Sequence, residues 1–315
     1  MRSIRFLAVV LLALSPALSR AQGAAATPLK PPAAADPDFI TPHISNSDKL
    51  DLPSWSMKDN FTQEWQLPHW APVHIGPLEL DLSPTRHLVM MLFAATVVAL
   101  VMTLAARSVS RSAAQGNPPT GFANAIEMTV LYVRNEVILP NVGHHGEAFV
   151  PFLLTIFFFI LTCNLIGLMP WGSTATSNIS VTATLAIISF IVVEIAGMRA
   201  LGAGYIKTLV YWPSDMSLLM KLFISPIMTP VEIIGKITKP LALAIRLFAN
   251  MIAGHVLVLA LISMVFVFGS YWIGLIPVGA AFAIMILELF VACLQAFVFT
   301  LLVSVFVGLV RESAH

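Results

Sequence analysis

Five apolar runs, each long enough for a helix that crosses a bilayer, decide most of what this chain can become. They fall at about 87–106, 149–170, 179–198, 241–268 and 273–310, and a spanning helix needs roughly 20 mainly apolar residues. Hydrocarbon offers the backbone no water to bond, so such runs have to be helical. Of 315 residues, 17 are Lys or Arg and 16 are Asp or Glu, so 10% are charged, where a soluble domain has about a quarter. That deficit excludes an ordinary soluble enzyme and predicts an all-α polytopic membrane protein with about five membrane-embedded helices. A net charge of +1 supplies no basic field for nucleic acid. Cys163 and Cys293 both sit in apolar runs away from any Cys-x-x-Cys pattern, so they read as packing residues, and neither a metal nor a cofactor is implied.

The amino terminus has the form of a secretory signal. Met1-Arg2 precedes an apolar run from Ile4 to Leu14, and Ser19-Arg20-Ala21 supplies a small-residue exit, so residues 1–21 are predicted to be a signal peptide cleaved after Ala21. Residues 22–85 then form an exported arm. Its first part is dominated by Ala and Pro, which bury little and predict a disordered linker. Residues 54–78 carry Trp55, Trp65 and Trp70 among polar residues and prolines. They read either as a segment with its rings at headgroup level or as a small folded cap. The membrane domain occupies residues 86–315.

Charge between the runs sets orientation. Arg107 and Arg111 follow the first run, Arg199 and Lys207 the third, and Lys236 and Lys239 precede the fourth, while the connections at 171–178 and 269–272 carry no charge. By the positive-inside rule the charged connections face the cytoplasm, which gives an exported amino terminus and a cytoplasmic carboxyl terminus beside Arg311. Between Ala123 and Leu139, Ile126, Val130, Val133 and Val137 alternate with Glu127, Arg134 and Glu136 at a spacing that predicts an amphipathic helix lying in the membrane plane.

The residues that carry chemistry stand out by their cost. From Pro240 to Val310 the only formal charges are Arg246 and Glu288, with His255 as one further titratable group. A charge at a helix centre costs about 2.5 to 3.5 kcal/mol on insertion scales, so one kept there is a functional-site hypothesis. Arg246 stands near enough to Pro240 to reach the interface, but Glu288 is far from both ends of its run and needs a partner or a proton. Asn250 follows Arg246 by one turn and shares its face, His255 lies about 180° away, and Gln295 nearly shares a face with Glu288. This arrangement lets His255 meet Glu288 while Arg246 points outside the chain, with Asn250 and Gln295 near enough to fix it.

The run Lys239-Pro240-Leu241-Ala242-Leu243-Ala244-Ile245-Arg246-Leu247-Phe248-Ala249-Asn250-Met251-Ile252-Ala253-Gly254-His255, with Leu294-Gln295-Ala296-Phe297-Val298-Phe299, resembles subunit a of the F-type ATP synthase membrane sector. Phe149-Val150-Pro151-Phe152, Asn164-Leu165-Ile166-Gly167-Leu168-Met169-Pro170 and Pro230-Val231-Glu232 extend the likeness over roughly 85–312. The resemblance implies that Arg246 is the stator arginine facing rotor carboxylates, with Asn250 and Gln295 as its polar neighbours. It implies that His255 and Glu288 form the acid and imidazole of a proton path, and that Asn164 and Glu232 are further polar positions of it. Gly167 departs from the pattern, standing where some relatives carry an acid.

For the fold, the resemblance implies that the last two helices make a strongly tilted hairpin along the rotor. Its implied partners are a ring of small proteolipid c subunits, peripheral-stalk b subunits, the whole F-type ATP synthase and the lipid bilayer. The implied setting is a bacterial inner membrane, and the implied role is proton translocation without catalysis by this chain alone. Two rivals remain at this level. One is a stand-alone secondary transporter using Arg246 as an anion site. The other is an intramembrane hydrolase, for which the sequence offers only His144-His145-Gly146-Glu147 at a turn and no His-Glu-x-x-His.

Overall fold

A computed structural model describes residues 49–53, 62–70, 73–75, 78–80, 83–143, 146–169, 174–205, 218–268 and 271–312. The signal at 1–21, the Ala/Pro-rich linker, Trp55, Lys207 and the His144-His145 turn lie outside the described residues.

The architecture is all-α and multi-pass. Helix α1 runs Arg86–Ala114, α2 Phe122–Tyr132, α3 Leu139–Val142, α4 Val150–Gly167, α5 Ile179–Leu201, α6 Leu218–Phe268 and α7 Tyr271–Glu312. Five helical stretches among the described residues are long and apolar enough to cross a membrane: Arg86–Ala114, Gly146–Gly167, Ile179–Leu201, Leu222–Ile262 and Leu275–Arg311. They correspond to the five apolar runs. Helix α1 stops where Gly116 adopts φ 70°, a left-handed turn that glycine enters without a Cβ clash.

Three features depart from the sequence reading. The fourth spanning helix begins at Leu218, well before residue 241, so Lys236 and Lys239 stand on helical turns instead of in a loop. Pro226, Pro230 and Pro240 lie inside that helix; each removes a backbone donor and opposes the carbonyl four residues back, yet the apolar turns around them carry the helix through. The second departure is in the arm, where β1 (Lys49–Pro53) pairs antiparallel with β2 (Thr62–Gln66) and β3 (Val73–Ile75) with β4 (Leu78–Leu80). Trp65 and Trp70 are exposed. Third, Cys163 is buried as expected, but Cys293 is exposed and takes no part in core packing.

The amphipathic stretch is helical, with a π-helical segment at Val133–Ile138 between α2 and α3. It buries Val133, Val137, Ile138 and Val142 while Phe122, Met128 and Tyr132 stay exposed. Of the predicted stripe, Val133 and Val137 are buried and Ile126 and Val130 half-buried, while Ile138 and Val142 add burial outside it.

The chain divides into two compact units, one of residues 1–98, 159–184 and 247–295, the other of 99–158, 185–246 and 296–315. In the first, Met91, Ile160, Cys163, Leu247, Met251 and Ala292 are buried. In the second the core is Val137, Ile138, Leu153, Ile156, Leu243, Phe299 and Val303. Helix α7 buries small or compact residues once per turn, including Ala296, Thr300 and Ser304. Small side chains let helices approach closely where lipid gives no hydrophobic drive to associate. The hydroxyls of Thr300 and Ser304 donate to carbonyls four residues back, at 2.9 and 2.7 Å, so neither leaves an orphan in the core.

Within each unit α6 and α7 run antiparallel. Asn250 faces Gln295 and Gly254 faces Glu288 in the first, while Lys239 Nζ lies 5.4 Å from the Phe306 ring in the second. This is the hairpin that the resemblance implied. The carboxyl end of α7 is tied down in the second unit, where Arg311 Nη1 donates to the Val142 carbonyl at 3.1 Å and its guanidinium sits 5.6 Å from the Phe149 ring.

Gly308 of α7 lies against the Asn141 carbonyl, which a Cβ would strike; backbone cannot step aside as a flexible side chain can. Gly308→Ala is expected to cost about 1–3 kcal/mol, the usual range for overpacking, read as a lower melting temperature of the detergent-purified chain. Gly235→Ala, where a Cβ meets nothing within 4 Å, should melt no lower than the unaltered protein.

Candidate functional site

Arg246 sits on α6 in a turn flanked by buried Leu243, Ala244 and Leu247 but is itself exposed. Helical periodicity accounts for this: at about 100° per residue the buried Leu243, Ala244, Leu247 and Met251 share one arc of about 100°, and Arg246 lies about 110° from its centre. Ile245, beside it, is likewise exposed. No described acid forms an ion pair with Arg246; Arg134 pairs with Glu147 at 3.2 Å. The exposed position leaves the guanidinium open to a partner from outside the chain.

In the first unit, Asn250 Nδ2 donates to Gln295 Oε1 at 3.0 Å. Gln295 is buried, and its Nε2 has no hydrogen-bond partner among the described residues. An unsatisfied buried donor costs about 1–3 kcal/mol and calls for an explanation such as an absent acceptor. The sequence reading assigned Asn250 and Gln295 to fixing Arg246; what the geometry shows is that they hold each other.

Glu288 is buried on α7, and the feature that receives it is Gly254. A Cβ at 254 would come within 2.6 Å of Glu288 Oε1, so the missing side chain is what leaves room for the carboxyl. Sequence reasoning passed over this glycine; a glycine one helical turn beyond Asn250, in a helix otherwise free of it from Pro240 to Ala253, was the available signal. His255 follows Gly254 and is half-buried.

Asn164 is wholly buried near the end of α4 and is fully engaged. Its Nδ2 donates to the Ala292 carbonyl at 3.2 Å, and its Oδ1 accepts from Thr176 Oγ1 at 2.8 Å. Ala292 lies one turn beyond Glu288, so this amide clamps the stretch of α7 that carries Glu288 and Gln295. Around Thr176 lies a polar cluster that the search for charges missed. Thr174, Thr176, Asn178, Ser180, Thr182 and Thr184 are all buried, and Asn178 Oδ1 caps α5 by accepting from Ser180 N at 2.9 Å, a standard amino-terminal cap. Ser177 Oγ lies 3.4 Å from His87 Nε2, and His87 is buried. The alternating hydroxyls from Thr174 to Thr184 were visible in the sequence, but uncharged residues were not weighed. Gly167 belongs to the same neighbourhood: a Cβ there would run into the Thr174 hydroxyl, so no acid could occupy the position without moving that turn.

Glu232 is exposed on α6. It lines a cavity of about 410 Å³ in the second unit, together with Lys236, Lys239 and Glu194 of α5. Glu194 accepts a hydrogen bond from the Tyr205 hydroxyl, and Lys236 Nζ donates to that hydroxyl at 3.4 Å from a position 4.7 Å off the ring centre. The structure thus brings Asn250 with Gln295, places Asn164 one turn from Glu288, and sets Glu232 in a cavity whose mainly apolar walls carry two acids and two lysines.

Comparison with known proteins adds an independent finding. Residues 88–308 match the family described as ATP synthase A chain. ATP synthase subunit a of Chloroherpeton thalassium is 45% identical over 249 residues, covering 78% of this chain and 73% of that protein. ATP synthase subunit a 2 of Chlorobaculum tepidum is 43% identical over 274 residues, or 84% and 73% of the two chains. ATP synthase subunit a of Myxococcus xanthus is 42% identical over 238 residues, 75% of each.

Replacing Asn164 by Ala leaves the Ala292 carbonyl and the Thr176 hydroxyl without their described partner. The expected loss is about 1–3 kcal/mol, the cost of orphaned buried polar groups, measured by thermal unfolding in detergent. A melting temperature equal to that of the unaltered chain would show that this clamp is idle.

Proposed function

The chain belongs to the ATP synthase A chain family, and on that premise we propose that it is the stator subunit that passes protons to and from a rotor in an F-type ATP synthase. One observation carries the reading: a guanidinium on an apolar helix, exposed, with no ion pair to an acid among the described residues. The cost of such a charge in hydrocarbon is met if its partner arrives from outside. The partner is a carboxylate on a ring of small c subunits; b subunits of the peripheral stalk hold the stator still.

A rotor carboxylate moving through lipid travels neutral, because burial disfavours its ionised form. It must lose its proton only beside the stator. A guanidinium at about 4 Å contributes about 4 kcal/mol at an effective dielectric of 20, close to three pKa units, which offsets much of the desolvation. Arg246 makes ionisation tolerable in one place. Since arginine does not deprotonate in proteins, it cannot relay a proton, and its charge repels one trying to pass between the two aqueous paths. Each charge driven across 100 mV carries about 2.3 kcal/mol, which this separation turns into rotor steps.

Two polar regions serve as the half-channels. On the exported side, Glu288 and His255 exchange protons, histidine having an ordinary pKa of about 6.5. The hydroxyl cluster around Thr176 supports water there, Asn164 holds α7 in place, and Asn250 and Gln295 present amides beside the rotor site. The unpartnered Nε2 of Gln295 then has an acceptor when the rotor carboxylate is docked. On the cytoplasmic side, Glu232 opens onto the cavity between α5, α6 and α7. The setting is a bacterial inner membrane, with the amino terminus exported after removal of residues 1–21, the arm at 22–85 outside, and the carboxyl terminus in the cytoplasm. Residues 86–315 translocate protons, the last two helices lying tilted along the rotor. The chain carries out no catalysis alone.

Arg246→Ala is expected to abolish proton-driven ATP synthesis while the chain still inserts and assembles; synthesis at the normal rate in vesicles holding the assembled variant would contradict the proposal. Glu288→Gln keeps the shape and removes the proton-binding oxygen. It should slow proton flux through the reconstituted membrane sector and alter its dependence on exported-side pH, and an unchanged rate at every pH would remove Glu288 from the path.

A further inference from the structure

Glu194 is the one acid in the apolar helix Ile179–Leu201. No part of the function above uses it. A carboxyl kept in a spanning helix calls for a role, and three observations define its surroundings. It lines the 410 Å³ cavity that Glu232 also lines. Its Oε2 accepts from the Tyr205 hydroxyl, which the short 3₁₀ turn Gly202–Tyr205 folds back onto α5. Lys236 in turn donates to the Tyr205 oxygen at 3.4 Å and lies over its ring. Burial, then the bond to Glu194, pushes the Tyr205 phenol above its ordinary range, so it remains a donor and fixes one oxygen of the carboxyl. The other oxygen, Oε1, accepts no described hydrogen bond and is left for the cavity.

At about 30 Å³ per water, a cavity of 410 Å³ has room for on the order of ten waters. Among the described residues, the charged groups that line the cavity with Glu194 are Glu232, Lys236 and Lys239 from α6; α7 contributes Val303, Phe306, Leu309 and Val310, none of them titratable. On its own helix Arg199 is exposed. Two described acids and two described ammonium groups thus share one cavity whose other walls are mainly apolar, and the ammonium groups offset the charge of the carboxylates.

We propose that Glu194, positioned by Tyr205 and Lys236, is a second proton-binding group of the cytoplasmic half-channel. In the synthesis direction a proton leaves a hydronium in the cavity or the protonated Glu232 carboxyl, its O–H bond breaking as one forms on Glu194 Oε1 and the donor returning to water or carboxylate; it then passes to a water at the cavity mouth, restoring the Glu194 carboxylate. This rests on the half-channel reading of the cavity.

The test uses the whole complex in vesicles, with proton flux driven by an imposed potential and expressed per assembled complex. Glu194→Gln still accepts the Tyr205 hydrogen bond but cannot bind and release a proton in this range. Flux is expected to fall several-fold and to lose part of its dependence on cytoplasmic pH, and Glu194→Asp should recover most of both. Flux and pH profile equal to the unaltered complex would overturn the proposal, as would an Asp variant no better than Gln. Should the Gln variant fail to assemble, Tyr205→Phe decides: it keeps the acid and frees its oxygen, so a changed cytoplasmic pH profile supports the role and an unchanged one rejects it. Arg246→Ala in parallel separates the two claims, because coupled synthesis in that variant defeats the stator reading itself, whereas its loss alongside a normal Glu194→Gln defeats only this inference.

Discussion

Placing a fixed positive charge in an apolar helix is the constraint on which the rest of this molecule depends. Lipid cannot solvate a guanidinium, and a salt bridge to an acid of the same chain would consume the charge permanently. Arg246 avoids both: its turn of α6 buries Leu243, Ala244 and Leu247 and leaves the arginine outside. On the proposed stator reading, the helix leaves this charge uncompensated until a partner supplies the counter-charge. That requirement also accounts for the sparse burial of α6, whose exposed Leu241, Ile245 and Leu257 give an apolar surface suited to lipid or to another apolar helix and mark no water-facing side.

A charge held in this way is useful only if its polar neighbours do not drift, and in membranes positional precision comes from close packing and buried hydrogen bonds, since lipid and side chains are equally apolar. The first unit answers this with amides. Asn164 joins the end of α4 to the Ala292 carbonyl and to Thr176, and Asn250 joins α6 to Gln295 of α7. Both bonds land within about two turns of Glu288, and Gly254 supplies the space that its carboxyl fills. Uncharged amides suit this work because they bond in either protonation state of their neighbours, so a proton can come and go without releasing the helices.

Legibility from sequence followed energetic cost. The five spans could be read because their length and apolarity match hydrocarbon, and Arg246 and Glu288 because each charge opposes it by kilocalories. The start of α6 could not: Pro226, Pro230 and Pro240 obey the same local rule that ends helices in water, and no spacing rule says that the apolar turns around them carry the helix through. Gly254 and the Thr174–Thr184 hydroxyls were silent for the opposite reason, because a missing side chain and an uncharged hydroxyl carry little intrinsic cost and acquire meaning from what lies across from them. The β-ribbons of the arm were hidden in a Pro- and Trp-rich segment whose alternation is too short to show a period of two. Glu194 drew no reading from the sequence, since its pairing with Tyr205 depends on a turn that no spacing rule specifies.

The acids of the two units differ in a way that fits opposite duties. Glu288 fills a pocket made by an absent side chain and has protein against it; in the proposed path a proton there would be exchanged with a neighbour and not with bulk water. Glu232 and Glu194 face a cavity large enough to hold several waters, with Lys236 and Lys239 beside them; in the proposed path protons there would equilibrate with solvent through the cavity. A motor that extracts work from a proton gradient needs one end where the proton's position is dictated by geometry and another where it is dictated by concentration. If both ends were open, the fixed charge of Arg246 alone would have to block leakage; if both were closed, release would limit every step. An enclosed acid in one unit and a hydrated pair in the other satisfy both demands with ordinary carboxylates, their difference set by what the helices place around them.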